Sequence, residues 1–268
     1  GEPRGQLVLV HGLEGSADRD YMLGTTDKAW RAGFNVVRMN VRNCGGTEHL
    51  TPTLYHSGLT IDLHALLNEL IERDQLPDIC LVGFSMGGNH VLKLTGEFGP
   101  NAPKQIKGVC AISPPIDLEL CSRSIRERRN FIYDRRFLRS LKARMRVKNK
   151  LYPGIIDVEK MERAKCLWDF DEFVTAPYFG FRDAQDYYQQ ASSLPYLANI
   201  RVPTLIIHAQ DDPFIPFTPF KSLPSNQYVS LLGPAHGGHT GFWRASDNHL
   251  DNYWAEQTAV DYCAALNR

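Results

Sequence analysis

Charge of one sign is the first thing this 268-residue sequence lacks: 30 lysines and arginines face 30 aspartates and glutamates, for a formal net charge of zero. That balance argues against a surface tuned as a whole to nucleic acid or to acidic membranes, so any such role has to be local. No apolar run approaches the roughly 20 residues needed to cross a bilayer. Stretches such as Ile79 to Val82 stop after a few residues, and a soluble chain is expected. Six cysteines (Cys44, Cys80, Cys110, Cys121, Cys166, Cys263) show no C-x-x-C spacing. This speaks against a disulfide framework or a zinc site and for reduced thiols in a reducing compartment. No signal peptide is visible and the chain opens on Gly1, not methionine; the expected location is cytoplasmic. Repeats and low-complexity linkers are missing too, and at this length one domain with an insertion is the default.

Short apolar runs alternate with helical patterns. Residues 6–11, 34–41, 79–84, 106–112, 203–209 and 228–232 read as strands, mostly apolar on both faces, as in a parallel sheet covered on two sides. Residues 21–33, 58–74, 87–99 and 251–266 carry apolar residues at three- and four-residue spacing. Alternation of this kind predicts an α/β fold with a mainly parallel sheet flanked by helices. The rhythm breaks after Ser113. No strand pattern is visible up to Ala191, and residues 123–150 hold 12 Lys or Arg against one Glu and one Asp. The expected organisation is therefore a core from 1–113 and 192–268 with a helical cap insertion at 114–191. A basic run of this kind is more often a solvated helical face than a binding site. Its charge beside Phe131, Ile132 and Phe137 is nevertheless suited to peripheral contact with anionic lipid.

At the end of the third strand the chain reads Gly83-Phe84-Ser85-Met86-Gly87. In G-x-S-x-G the glycines clear space for a strained strand-to-helix turn that exposes the serine hydroxyl. Serine needs a base to take its proton, and the base needs a carboxylate to fix its tautomer. Both follow in order. The loop after 203–209 offers Asp211 and Asp212, and the loop after 228–232 offers His236 and His239. Asp212 is the expected acid, because it precedes Pro213 in a D-x-x-x-P turn; Asp211 is the alternative, and Asp117 after the fourth strand ranks below both. His239 is the expected base, because two preceding glycines would let its backbone approach the serine turn; His236 is the alternative. The turn His11-Gly12-Leu13-Glu14-Gly15 and the residue after the serine supply two main-chain donors, Leu13 and Met86, for an oxyanion hole. His11 reads as structural, His56, His90 and His208 as packing or capping residues, and no pair among these histidines has metal-ligand spacing.

HGLEGS (11–16), VRNCGG (41–46), LYHSGLTIDL (54–63), GFSMGGN (83–89), DLELCSRS (117–124), SSLPYL (192–197), DDPFIP (211–216) and HGGHTGF (236–242) together resemble the YheT-type branch of the α/β hydrolases, which includes the eukaryotic ABHD1/ABHD3-like lipases. The resemblance implies a serine esterase or lipase without metal or organic cofactor, and it supports Ser85, Asp212 and His239. It also implies that further N-terminal strands of the family are absent from this chain, leaving strand 34–41 at the edge of a sheet ordered 4-3-5-6-7-8 in the family's naming. Asn43 stands where the family's R-G-C-x-G turn has glycine.

The expected activity is hydrolysis of short- to medium-chain acyl esters or lipids through an acyl-enzyme. The expected partner is a small-molecule or lipid ester, with no nucleic acid. Acyl transfer to an alcohol is the alternative chemistry, and a catalytically silent binding module the alternative outside enzymology.

Overall fold

A computed structural model describes residues 4–245 and 252–267. Six strands, β1 (Gln6–Val10), β2 (Asn35–Met39), β3 (Ile79–Phe84), β4 (Ile106–Ile112), β5 (Thr204–Ile207) and β6 (Val229–Leu232), form one sheet in the order β2-β1-β3-β4-β5-β6. Every neighbouring pair is parallel. The edge position of β2 and the strand order agree with the family arrangement. The helices are α1 (Asp20–Arg31), α2 (Ile61–Asn68), α3 (Met86–Phe98), α4 (Leu118–Ile125), α5 (Phe131–Leu151), α6 (Val158–Glu162), α7 (Leu167–Phe170), α8 (Ala176–Phe179), α9 (Ala184–Ala191) and α10 (Trp254–Leu266). The first residue of the 251–266 pattern, Asp251, lies outside the described residues. The 58–74 pattern is not one α-helix: it starts at Ile61 and widens to a π-turn over Glu69–Arg73.

Alternation along the strands divides the core in two. Val8, Val10, Leu81, Val109 and Ile206 point to one face, where they meet Leu63 and Leu67 of α2 and Val91, Leu92 and Leu94 of α3. Leu7, Leu9, Val82, Cys110 and Ile207 point to the other, against Met22 and Ala29 of α1 and Ala259, Val260 and Cys263 of α10. A fully buried side chain such as Leu81 contributes roughly 1.5–3 kcal/mol by leaving water. The six apolar runs are legible as strands for this reason. Two strands are exceptions: β2, at the edge, is half-buried along its whole length, and β6 alternates half-buried and exposed residues.

Helices α4 to α9 follow one another between β4 and β5, within the stretch 114–191. Leu138, Leu141 and Met145 of α5, at three- and four-residue spacing, pack with Met161, Phe170, Val174 and Leu54 into a separate small core. The basic run is not simply a solvated face. Arg144 and Lys148 continue the inward stripe: Lys148 is fully buried, donates to the carbonyls of Glu48 and Thr51 and lies over the Tyr152 ring. Arg144 meets Glu14 and Glu48 of the core.

Candidate active site

The serine turn is built by exclusion of side chains. A Cβ on Gly83 would lie 2.2 Å from the Gly87 carbonyl oxygen, and one on Gly87 would lie 2.2 Å from that of Val10. Only glycine at both positions lets β3 run into α3 this tightly. Ser85 is left at φ 52°, ψ −120°, and its N–H donates to Ile112 O at 2.8 Å. Such a backbone is costly for a residue with a side chain and persists where the surroundings hold it. Glu14, Ser113, Thr240 and Phe242, all in the loops about this turn, also have positive φ.

Three side chains from separate loops converge there. His239 Nε2 lies 3.0 Å from Ser85 Oγ, and His239 Nδ1 lies 2.8 Å from Asp212 Oδ2. A carboxylate only accepts, so Nδ1 carries the ring proton and Nε2 presents its lone pair to the serine hydroxyl. Asp212 is fully buried on its side chain, and its other oxygen accepts from the N–H groups of Phe214 and Ile215 at 3.2 and 3.0 Å. The Phe214 ring covers the imidazole at 4.2 Å between centroids.

The alternatives occupy other places. Asp211 accepts from the Gly237 and Gly238 N–H groups and meets His236 Nδ1 at 3.1 Å, so this outer pair ties the two loops together in solvent. Asp117 caps α4 by accepting from Leu120 N–H. The two glycines before His239 serve a purpose other than the expected approach to the serine turn. Gly237 makes room for the Phe242 ring, which a Cβ would meet at 2.5 Å, and Gly238 takes a left-handed conformation at φ 59°.

Leu13 and Met86 share one cavity wall with Ser85. Met86 opens α3, where first-turn N–H groups have no helical acceptor. Gly12 packs against Ser85, its virtual Cβ 3.1 Å from the serine Cβ. His11 shapes this turn: Nε2 accepts from Val41 N–H at 3.0 Å, leaving Nδ1 to donate to Gly12 O at 2.7 Å. Burial holds its pKa below the usual histidine value. His90 and His208 are likewise buried, with pKa values pushed down to about 4 by desolvation; His90 meets His56 O, and His208 stacks on Phe220. Asn43 adopts φ 65°, which explains glycine in the family's pattern and asparagine here.

Sequence reasoning missed the support behind the oxyanion turn. Glu14, next to Leu13, is buried and accepts from Tyr55 Oη and Arg144 Nε at 2.7 Å and from Ser140 Oγ at 2.6 Å. Two of these donors come from α5, so the cap grips the turn. The only signal in the sequence was a glutamate inside an apolar turn, with no indication of its distant partner. Under the cap lies a cavity of about 1020 Å³, counted with its open mouth. Ser85 is part of its lining, and the walls are mainly apolar, among them Ile125, Leu141, Met145, Phe170 and Val174.

Comparison with known proteins agrees with this architecture. Residues 6–245 match the family model described as alpha/beta hydrolase fold. The chain is 35% identical over 262 residues to the putative esterase YheT of Escherichia coli, covering 96% of this chain and 76% of that protein. It is 27% identical to the phospholipase ABHD3 of Bos taurus, covering 94% of this chain but 63% of the relative, so part of that longer protein has no counterpart in the match. Among solved structures, Est1E from Butyrivibrio proteoclasticus with ferulic acid superposes with a TM-score of 0.59 at 16% identity, over 99% of this chain and 90% of that one, a likeness of fold. On the family match and the bacterial relative together, the chain belongs to the α/β hydrolase family, in the branch related to YheT and ABHD3.

Proposed function

We propose that this protein is a serine hydrolase that cleaves carboxylic esters of short- to medium-chain acyl groups or lipids. Ser85 Oγ attacks the ester carbonyl while His239 Nε2 takes its proton, and Asp212 stabilises the imidazolium that results. The carbonyl oxygen, now negative, is held by the Leu13 and Met86 N–H groups. The tetrahedral intermediate collapses, the C–O bond to the alcohol breaks, and His239 returns the proton to the departing oxygen, leaving the acyl group on Ser85. Water then enters with His239 again as base, releases the carboxylic acid and restores the serine. The relay of 2.8 and 3.0 Å contacts from Asp212 through His239 to Ser85, which lines a mainly apolar cavity, carries this reading.

The relatives named esterase and phospholipase support the same chemistry. The test is hydrolysis of p-nitrophenyl esters from acetate to palmitate by the wild type and Ser85→Ala. Activity should be present and fall by at least about 10³-fold in the variant. Equal rates from the two proteins would sink the proposal.

Two further parts belong to this reading. The cap makes peripheral contact with anionic lipid: Phe131 and Ile132 are 51% and 64% exposed at the start of α5, beside arginines 128, 136 and 139, which have no carboxylate partner among the described residues. The protein works in the cytoplasm, on the evidence of six free thiols; cell fractionation checks that location.

A further inference from the structure

Along α7 and the π-turn that continues it over Asp171–Thr175, the residues lining the cavity are Leu167, Phe170, Asp171, Val174 and Thr175. Their spacing of three and one marks a single stripe turned to a mainly apolar space. A carboxylate on such a stripe stands where the pattern calls for another leucine or valine. The acids on either side behave differently. Asp169 accepts from Lys165 N–H at 2.7 Å and Glu172 from Ala184 N–H at 2.8 Å, and neither lines the cavity.

Among the described residues no lysine, arginine or histidine pairs with Asp171; its partners are hydroxyls. Oδ1 accepts from Thr175 Oγ1 at 2.7 Å and Oδ2 from Tyr188 Oη at 2.8 Å, while Tyr188 Oη accepts from Ser122 Oγ at 3.1 Å. All four of these residues line the cavity. Their hydroxyl protons run towards the carboxylate, so the cluster ends in an acceptor. Burial pushes the Asp171 carboxyl up to about 6, against the lowering effect of the two hydroxyls, so at about pH 7.5 it is ionised and only accepts. A carboxylate has room for about four hydrogen bonds. Tying the π-turn to α9 uses two, and no other donor in the protein meets the rest.

Under the ester-hydrolase reading, on which this inference rests, the apolar cavity takes the acyl chain. We propose that Asp171 is a specificity-determining residue that accepts a hydrogen bond from a hydroxyl at the far end of that chain, making the site one for hydroxyacyl esters. Asp171 makes no contact with Ser85, His239 or Asp212, so the hydroxyl it serves is not beside the carbonyl. An acyl chain ending in a carboxylate meets like charge there and is rejected.

The experiment compares the p-nitrophenyl esters of hexanoate, octanoate, decanoate and dodecanoate with those of the ω-hydroxy acids of equal length, for the wild type, Asp171→Leu and Asp171→Asn. The quantity read is the ratio of kcat/KM for the hydroxylated over the plain ester, which cancels any loss of folded protein and any purely structural effect on the cap. A hydroxyl left without a partner in an apolar site is disfavoured by about tenfold or more. In the wild type the ratio should therefore lie well below one except at the length that brings the hydroxyl to Asp171, where it should reach or exceed one. At that length it should fall about tenfold in Asp171→Leu, and by a few fold in Asp171→Asn, which keeps the shape and loses the charge. A wild-type ratio well below one at every length, or a ratio that neither substitution moves, overturns the assignment. If the wild type hydrolyses no ester of either series, the ester-hydrolase reading fails and this one with it; if the plain esters are hydrolysed and the ratio is unmoved, only the role of Asp171 fails.

Discussion

Substituting methionine for Arg144 keeps the length of the side chain and removes its charge. The guanidinium is 11% exposed and its partner Glu14 4% exposed, so the substitution strands a carboxylate that is almost out of water. Losing one member of a buried pair costs about 3–5 kcal/mol. Glu14 keeps the Tyr55 and Ser140 hydroxyls, and two surviving hydrogen bonds of about 1 kcal/mol each bring the expected loss to roughly 1–3 kcal/mol. In a domain of this size that lowers Tm by about 2–12 °C. Because Glu14 follows Leu13 directly, the turn that offers the proposed oxyanion donor loosens too, and kcat for p-nitrophenyl butyrate should fall about tenfold with little change in KM. Urea unfolding and steady-state kinetics on the same samples read both effects. Adding Glu14→Gln removes the stranded charge and should restore at least half of the lost stability. The reasoning is refuted if Arg144→Met unfolds within about 0.5 kcal/mol of the wild type, which would be the behaviour of a surface pair, or if the double variant is no more stable than the single one.

Asp212→Asn should lower kcat by about 10³- to 10⁴-fold, while Asp211→Asn, altering the exposed pair with His236, should cost less than about tenfold; comparable losses would mean that the outer carboxylate shares the role. Vesicles rich in phosphatidylglycerol should sediment the wild type at low salt, and Phe131→Ser/Ile132→Ser should abolish this; co-sedimentation that the variant retains would remove the cap from the interaction. Acid should destabilise the fold through His90 and His208. Their folded pKa of about 4 lies below the ordinary 6.5, so the unfolded chain binds the extra protons. Stability is complete above about pH 6.5 and is lost as pH falls towards 4, by about 2 kcal/mol for each histidine at pH 5. A urea midpoint that stays flat between pH 7 and 5 would contradict this.

The strands were readable because β1, β3 and β4 are buried on both faces and are apolar at nearly every position, Gln6 and Lys107 being the polar exceptions near their starts, and the serine turn because its glycines are enforced by backbone oxygens at 2.2 Å. Within the pairs Asp211/Asp212 and His236/His239 the expected members, Asp212 and His239, are the ones that meet Ser85, but the letters that favoured them were few: Pro213 after the one and two glycines before the other. Adjacent aspartates carry the same chemistry in a string of letters, and only the turn at Pro213 sends one into the core and the other into solvent. The cap was less legible still. Its short helices are fixed by contacts between residues far apart in sequence, such as Glu14 with Arg144, and a pattern of spacing holds no record of such contacts. Arg144 and Lys148 look like their exposed neighbours in a basic run; what distinguishes them is a core loop 100 residues or more away.

Phe242 ends the loop that carries His239. Its ring is fully buried in the layer beneath α1 and α10, its N–H closes back on Gly237 O at 2.8 Å, and its carbonyl accepts from Trp254 N–H, the first residue of α10, at 3.2 Å. The histidine is thus set between an anchor sunk in the core and the start of the C-terminal helix. Damage at that end of the polypeptide, whether a nick, a truncation or a fused tag that strains α10, would reach His239, the proposed base, before it reached the sheet. Helix α10 is in this sense a component of the proposed active site, and a preparation could keep its secondary structure and melting behaviour while losing its chemistry.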